Sequence, residues 1–345
     1  MTAPLLLVFA APIVAALLLV PLAWWLGVRA GVVDRPRPGE LQRWPRARTG
    51  GYGIVAAFLV GVGLSLLLLP RGDSEETARL LGFAVGLAVI LPVALLDDRF
   101  RLGPRPQLAG QILAAVLPIP FGLYISDVSG PWGQILPLPI LVAIPFTVVW
   151  VVGMINTLNW LDTVDGLAGG TAAIAAAVLL WRSLDLGQYS VAVLPLALLA
   201  ACLGFLAFNF NPARVFMGTS GSMFLGYALA MLAIFGGAKI ATALMVLGIP
   251  ILDTALVIVQ RVVAGRSPLQ GGDNAHLSHR LALRGWGARR IALSAYVCCL
   301  VLGIGGLKLS GEHKALLFAA VLLGVVIATA LLALRPRANR TPAHR

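Results

Sequence analysis

The chain has 345 residues, 59% of them hydrophobic and only 12% charged, with a mean hydropathy of +0.92. Soluble globular domains carry about 25% charged residues, so the composition excludes an ordinary soluble enzyme, and long apolar runs without period-two alternation exclude a transmembrane barrel. A net charge of +12 and an isoelectric point near 10.8 do not indicate a nucleic-acid partner, because the basic residues are confined to short loops, where they orient a membrane protein and meet anionic lipid headgroups.

In chain order, apolar runs able to cross a ~30 Å hydrocarbon core are centred near Val14, Leu59, Val85, Ala115, Val148, Ala175, Leu198, Ala230, Leu247, Leu300 and Leu322. The expected fold is therefore all-α, a polytopic transmembrane helix bundle of eleven spans. One membrane domain is expected over residues 1–334, and a basic, disordered tail over 335–345. The first run, Leu5 to Trp25, follows no basic residue and precedes no small-residue cleavage site, so it reads as a retained helix and not a signal peptide. Cys202, Cys298 and Cys299 lie in apolar segments without the paired spacing of a zinc site or a disulfide framework. With the N-terminus outside and the C-terminus in the cytoplasm, the outer loops keep only Arg71, Arg79, Arg182, Lys239, Lys308 and Lys314, and the rest of the 26 Lys and Arg lie inside. This orientation also puts Asp97, Asp98, Asp162, Asp165, Asp273, His276 and His279 at or near the cytoplasmic face, although acids played no part in choosing it.

Four segments carry chemistry. In LLDDRF, Leu95 to Phe100, two adjacent carboxylates can bind a hard cation, or one can take a proton while its neighbour stays ionised; the pair reads equally as a solvated helix end. In NTLNWLDTVDGLAGG, Asn156, Asn159, Asp162 and Asp165 recur every three residues after an apolar run. On a helical path this predicts a polar stripe on one face, suited to a cation and phosphate oxygens, and a polar loop with a glycine turn is the blander alternative. In FNFNPARVFMGTSGSMFLG, Phe208 to Gly226, Gly218, Ser220, Gly221 and Ser222 precede a span, where backbone N–H groups can hold phosphate; alone, these glycines read first as close-packing residues. In GRSPLQGGDNAHLSHRL, Gly265 to Leu281, His276 and His279 have the spacing of zinc ligands, but no Glu or Cys completes a zinc site. With Arg266 and Arg280 they fit better as donors to a diphosphate, and a solvated basic loop remains open. Asp253, inside the ninth span three residues after Pro250, is an intramembrane acid and so a candidate by position.

Taken in order these segments resemble the polyprenyl-phosphate N-acetylhexosamine-1-phosphate transferases, glycosyl transferase family 4. The resemblance is nearer to the undecaprenyl-phosphate N-acetylglucosamine-1-phosphate transferase branch than to the phospho-N-acetylmuramoyl-pentapeptide transferases. It rests on Asp97 and Asp98, on Asn-x-x-Asn-x-x-Asp-x-x-Asp-Gly-Leu ending at Leu167, and on Asn-x-x-Pro-Ala-Arg-Val-Phe-Met-Gly from Asn209 to Gly218. Pro250, Asp253, Gly265 to Pro268, Asp273, His276, His279 and Arg280 complete it.

The resemblance implies a multi-pass protein of the bacterial plasma (inner) membrane that transfers an N-acetylhexosamine-1-phosphate from a UDP-sugar to a polyprenyl phosphate on the cytoplasmic side. UMP would be released, as the first step of a cell-envelope glycan pathway, in cell wall or lipopolysaccharide biosynthesis. Mg²⁺, or Mn²⁺, is the implied cofactor. The implied catalytic residues are Asp97, Asp98 and Asp162, with Asp98, Asp162, Asp165 and Thr219 at the metal. Asn156, Asn159, Asp165, Asn209, Arg266, His276, His279 and Arg280 are implied to bind substrate, and the break at Pro250 to open a groove for the isoprenoid. The partners are UDP-N-acetylhexosamine, polyprenyl phosphate and membrane lipids, with no nucleic acid, and a homodimer is an open option. The chain departs from the family pattern at Thr219, where relatives carry a metal-binding aspartate, at Ser278 in place of a histidine, at Gln107 in place of a lysine, and in its first inner loop. A non-catalytic member that binds lipid phosphate or nucleotide sugar is therefore the alternative.

Overall fold

The computed structural model describes residues 2–34, 46–70, 74–129, 134–235, 239–268, 275–309 and 311–334. Asp273 and the basic tail 335–345 lie outside them. Eight helices are long and apolar enough to cross a membrane: α1 (Thr2–Arg29), α2 (Gly50–Leu68), α3 (Ser74–Phe100), α5 (Ile140–Leu161), α6 (Leu167–Asp185), α7 (Tyr189–Asn209), α12 (Ala288–Lys308) and α13 (Gly311–Leu334). The shorter ones are α4 (Pro104–Val116), α8 (Gly218–Ile234), α9 (Ile240–Val246), α10 (Gly248–Val263) and α11 (Leu277–Ala282). The protein is thus a polytopic helical membrane protein.

Each expected span centre falls in a helix except Leu247, which sits at the break between α9 and α10. There the chain bends by 80°, so this pair makes at most one further span. The helices at the centres near Ala115 and Ala230 have 13 and 17 residues, shorter than a full crossing of about 20. Two antiparallel ribbons stand outside the helices: Val33–Asp34 with Arg46–Ala47, and Asp127–Ser129 with Ile135–Pro137.

Every residue of α8 is buried. A helix that is apolar all round belongs in the interior, and α2, α3 and α5 pack around this one. The approach of α2 is closest at Gly51, where a Cβ would lie 2.1 Å from the Gly221 nitrogen, so only glycine permits it. Farther along, Phe58, Phe83, Phe224 and Tyr227 form a chain of tilted rings with centroids 5.3–5.8 Å apart. This packing fixes the start of α8 against the end of α3.

Candidate active site

Asp97 and Asp98 close the last turn of α3 and are 7% and 6% exposed. The first turn of any helix presents N–H groups with no partner in the helix, and no side chain at the Met217 cap supplies one for α8. Asp98 supplies it from α3. Thr219 N–H donates to its Oδ1 at 2.8 Å and Ser220 N–H to its Oδ2 at 3.0 Å, with Tyr52 Oη donating at 3.3 Å. Gly218 makes this geometry possible: its φ is +73°, and a Cβ would stand 1.9 Å from the Arg48 carbonyl oxygen. Asp97 is held by two neutral donors, Thr219 Oγ1 to Oδ2 at 2.6 Å and Gln107 Nε2 to Oδ1 at 2.7 Å.

The turn between α5 and α6 lies at the same end of the bundle. Its four polar residues do not share one face. A three-residue period falls about 60° short of a full helical turn at each step, so the stripe winds from one neighbour to the next. Asn156 Nδ2 donates to Gln111 Oε1 of α4 at 2.6 Å, and Asn159 Oδ1 accepts from Ser222 Oγ of α8 at 2.8 Å. The helix stops at Leu161, and Asp165 beyond it accepts from Asn211 Nδ2 and the Ala213 N–H, both at 2.9 Å, with Arg46 Nη1 at 3.6 Å. Asn209, 2% exposed, accepts from the Gly166 N–H and donates to the Val215 oxygen. Asp165 and Asn209 thereby hold the 209–217 loop in place.

Asp162 is different. Its carboxylate makes no hydrogen bond or ion pair among the described residues. Withdrawal from water, reinforced by the charges of Asp98 and Asp165 and opposed by Arg48, pushes its carboxyl up to about 7. Arg48 acts on both Asp98 and Asp162. Sequence reading counted it only as a loop charge, and it gave no role to Tyr52 or Gln111; Ser222 was expected to help hold phosphate and instead donates to Asn159, and Gln107 had a signal, as the position where relatives carry lysine.

A second junction adjoins this one. Asp253 of α10 accepts from His276 Nδ1 and from the Leu277 N–H at the start of α11, both at 2.9 Å. The His276 ring lies 5.6 Å from that of Trp160, and the Arg261 guanidinium lies 4.8 Å over the same Trp160 ring. The Thr163 and Ser278 hydroxyls, 3.1 Å apart, join the two junctions. Arg280 donates through Nε to the Ala275 oxygen, through Nη1 to the Thr329 oxygen and through Nη2 to Gln260 Oε1, so it anchors α11 to α10 and α13. His279 is half-buried and Arg266 exposed. Behind His276 a cavity of about 490 Å³ runs between α5, α10, α12 and α13, walled by Trp160, Ile249, Pro250, Trp286, Ile291 and Leu331.

Among the described residues no three His, Cys, Asp or Glu side chains gather as a ready-made metal cage. Among the described residues His276 faces Asp253 and no cluster of three forms around His276 and His279. A small hard cation that keeps its waters and takes its remaining oxygens from a bound phosphate needs only one or two carboxylates. Asp162, unpartnered and beside Asp98 and Asp165, fits that requirement.

The sequence profile of glycosyl transferase family 4 matches residues 80–237, which contain both acid motifs and the start of α8. The chain is 30% identical over 307 residues to the probable undecaprenyl-phosphate N-acetylglucosaminyl 1-phosphate transferase of Bacillus subtilis, covering 87% of this chain and 84% of that protein. It is 32% identical over 349 residues to the decaprenyl-phosphate N-acetylglucosaminephosphotransferase of Mycobacterium tuberculosis, with 91% and 84% covered. A phospho-N-acetylmuramoyl-pentapeptide-transferase of Geobacillus kaustophilus is 31% identical over 297 residues, with 78% and 86% covered. Similarity over nearly the whole length, with the acids of α3 and of the α5–α6 turn brought to one end of the bundle, makes this chain a member of glycosyl transferase family 4.

Proposed function

We propose that the protein transfers an N-acetylhexosamine-1-phosphate from a UDP-sugar to a polyprenyl phosphate at the membrane face that carries Asp97 and Asp162, taken from the loop charges to be cytoplasmic. The observation that carries this reading is an unclaimed carboxylate, Asp162, within electrostatic range of Asp98, the chain neighbour of the clamped Asp97, next to Leu161 in the wall of an apolar cavity. An oxygen of the lipid phosphate forms a bond to the sugar-linked phosphorus, the bond from that phosphorus to the UMP oxygen breaks, and UMP leaves with the electron pair.

Asp97, fixed by Thr219 and Gln107, orients the attacking phosphate and accepts its proton where one is present. Asp162 and the neighbouring Asp98 would hold a Mg²⁺ or Mn²⁺ ion, which when bound neutralises diphosphate charge. Arg48, which acts on Asp98 and Asp162, and His276 and His279 of the adjoining junction are the groups assigned to the diphosphate. The cavity behind His276 is apolar enough for the first isoprene units, and its walls keep water away from the acceptor. Names of relatives with N-acetylglucosamine as the sugar favour UDP-N-acetylglucosamine as the donor.

The test is UMP release by the purified full-length protein given UDP-N-acetylglucosamine, undecaprenyl phosphate and Mg²⁺. Absence of release with every UDP-sugar and polyprenyl phosphate tried would overturn the reading. One observation favours a second reading, a binding protein without turnover: Thr219 Oγ1 donates to Asp97, where the family pattern has a further carboxylate. That reading predicts saturable binding of UDP-sugar with no UMP formed.

A further inference from the structure

The outer loops were expected to keep six basic residues. Arg71 lies outside the described residues, and Arg79 pairs with Glu75 at 2.9 Å. The other four lie at the end of the bundle opposite the acids: α6, which starts just after the Asp165 turn, runs for 19 residues, about 28 Å, and carries Arg182 in its last turn. Lys239, at the start of α9, is fully buried and donates to the Phe235 oxygen at 2.9 Å. Arg182 acts on the charge of both Lys239 and Lys314. Lys308 Nζ lies 5.4 Å over the ring of Trp181.

None of these four cations forms an ion pair among the described residues, and the buried Glu76 at this end accepts from Ser190 Oγ at 2.7 Å. Asp185 accepts from Trp181 Nε1 at 3.1 Å, Glu312 is exposed, and neither forms an ion pair with them among the described residues. The Arg182 Nε is buried with no hydrogen-bond partner. Burial, then the repulsion of Arg182, pushes the Lys239 ammonium down to about 8. A buried guanidinium nitrogen without a partner, with the charges of Lys239 and Lys314 beside it, is satisfied when an anion joins them. Trp181 and Tyr189, both exposed on this rim, are residue types that sit at headgroup level.

We propose that Arg182, Lys239, Lys308 and Lys314 form a binding site for a phosphate-type oxyanion at the membrane face opposite the acid cluster, with a phospholipid phosphodiester as the ligand chemistry it fits. The site is separate from the transfer reaction and uses none of its residues. Lipid phosphate and free phosphate share this chemistry, and the experiment separates them.

Full-length protein is placed in phosphatidylcholine nanodiscs with and without phosphatidylglycerol, or in phosphatidylcholine with added inorganic phosphate. Retained lipid is counted by native mass spectrometry and thermal stability is measured. The site predicts retention of phosphatidylglycerol over phosphatidylcholine, with affinity about fivefold weaker for each charge removed in Arg182→Gln and Lys314→Gln. Arg79→Gln, on the same rim but already paired, should leave retention unchanged. Stabilisation by inorganic phosphate alone, lost in the same two variants, would identify the free ion as ligand. Equal retention of both lipids with no phosphate effect, or equal losses in Arg79→Gln, would overturn the site. Lys314→Gln lies half-exposed on a helix surface and keeps the test readable if Arg182→Gln fails to fold.

Discussion

The α3–α8 and α10–α11 junctions are built by one device and serve different ends. In each, a carboxylate carried by one helix accepts backbone N–H groups from the first turn of another: Asp98 for α8, Asp253 for α11. Their company differs. Around Asp97 and Asp98 the hydrogen-bond donors are neutral, a threonine, a glutamine, a tyrosine and two amides. Asp253 is met by an imidazole, which compensates its charge whenever the ring is protonated. Even with Arg48 acting on them, Asp97, Asp98 and Asp162 outnumber the cations at the first junction, so the proposed metal ion fits there and not at Asp253.

If that contrast is right, chelation has the largest effect. EDTA should abolish UMP release, and Mg²⁺ or Mn²⁺ should restore it. Next, Asp97→Asn keeps the shape of the clamp but removes the charge, and should lower turnover about a thousandfold, the scale of general-base loss, with UDP-sugar binding retained. Asp253→Ala strips a partner from the Leu277 N–H and from His276. It should destabilise the fold by about 2 kcal/mol, the scale of a hydrogen bond to a charged group, read as a lower Tm, while the metal requirement stays unchanged. An Asp253 variant that changes the metal requirement would break the contrast. Thr219→Val, the mildest, removes one of two donors to Asp97 and should reduce turnover about tenfold, on a net bond of about 1 kcal/mol plus some loosening of the carboxylate. Gln107→Leu should match it, since the two donors hold opposite oxygens.

Much of this was legible in the sequence, but unevenly. Hydropathy located the helices because lipid forces every backbone group to be satisfied within them. It overstated crossing length at Ala230, because a buried interior helix and a lipid-spanning one are equally apolar. Composition and spacing brought Asp97, Asp98 and Asp162 forward, since acids at a membrane boundary are conspicuous. Spacing could not say which neighbour each polar residue meets. Asp165 and Asn209 turned to the 209–217 loop, and Arg280 to α13, through partners up to 49 residues away. Tyr52 and Arg48 gave no signal, because their relation to Asp98 exists only once α2 has packed against α8.

Asp98 and the amides it caps are separated by 121 and 122 residues, and the chain is synthesised in that order. At 5–20 residues per second, α3 leaves the ribosome about ten seconds before the first turn of α8. The Asp253 cap, 24 residues ahead of Leu277, leads by only about two seconds at the same pace. The central helix is thus made after its own cap has left the ribosome, and the acid end is a docking point that the later half of the chain arrives at.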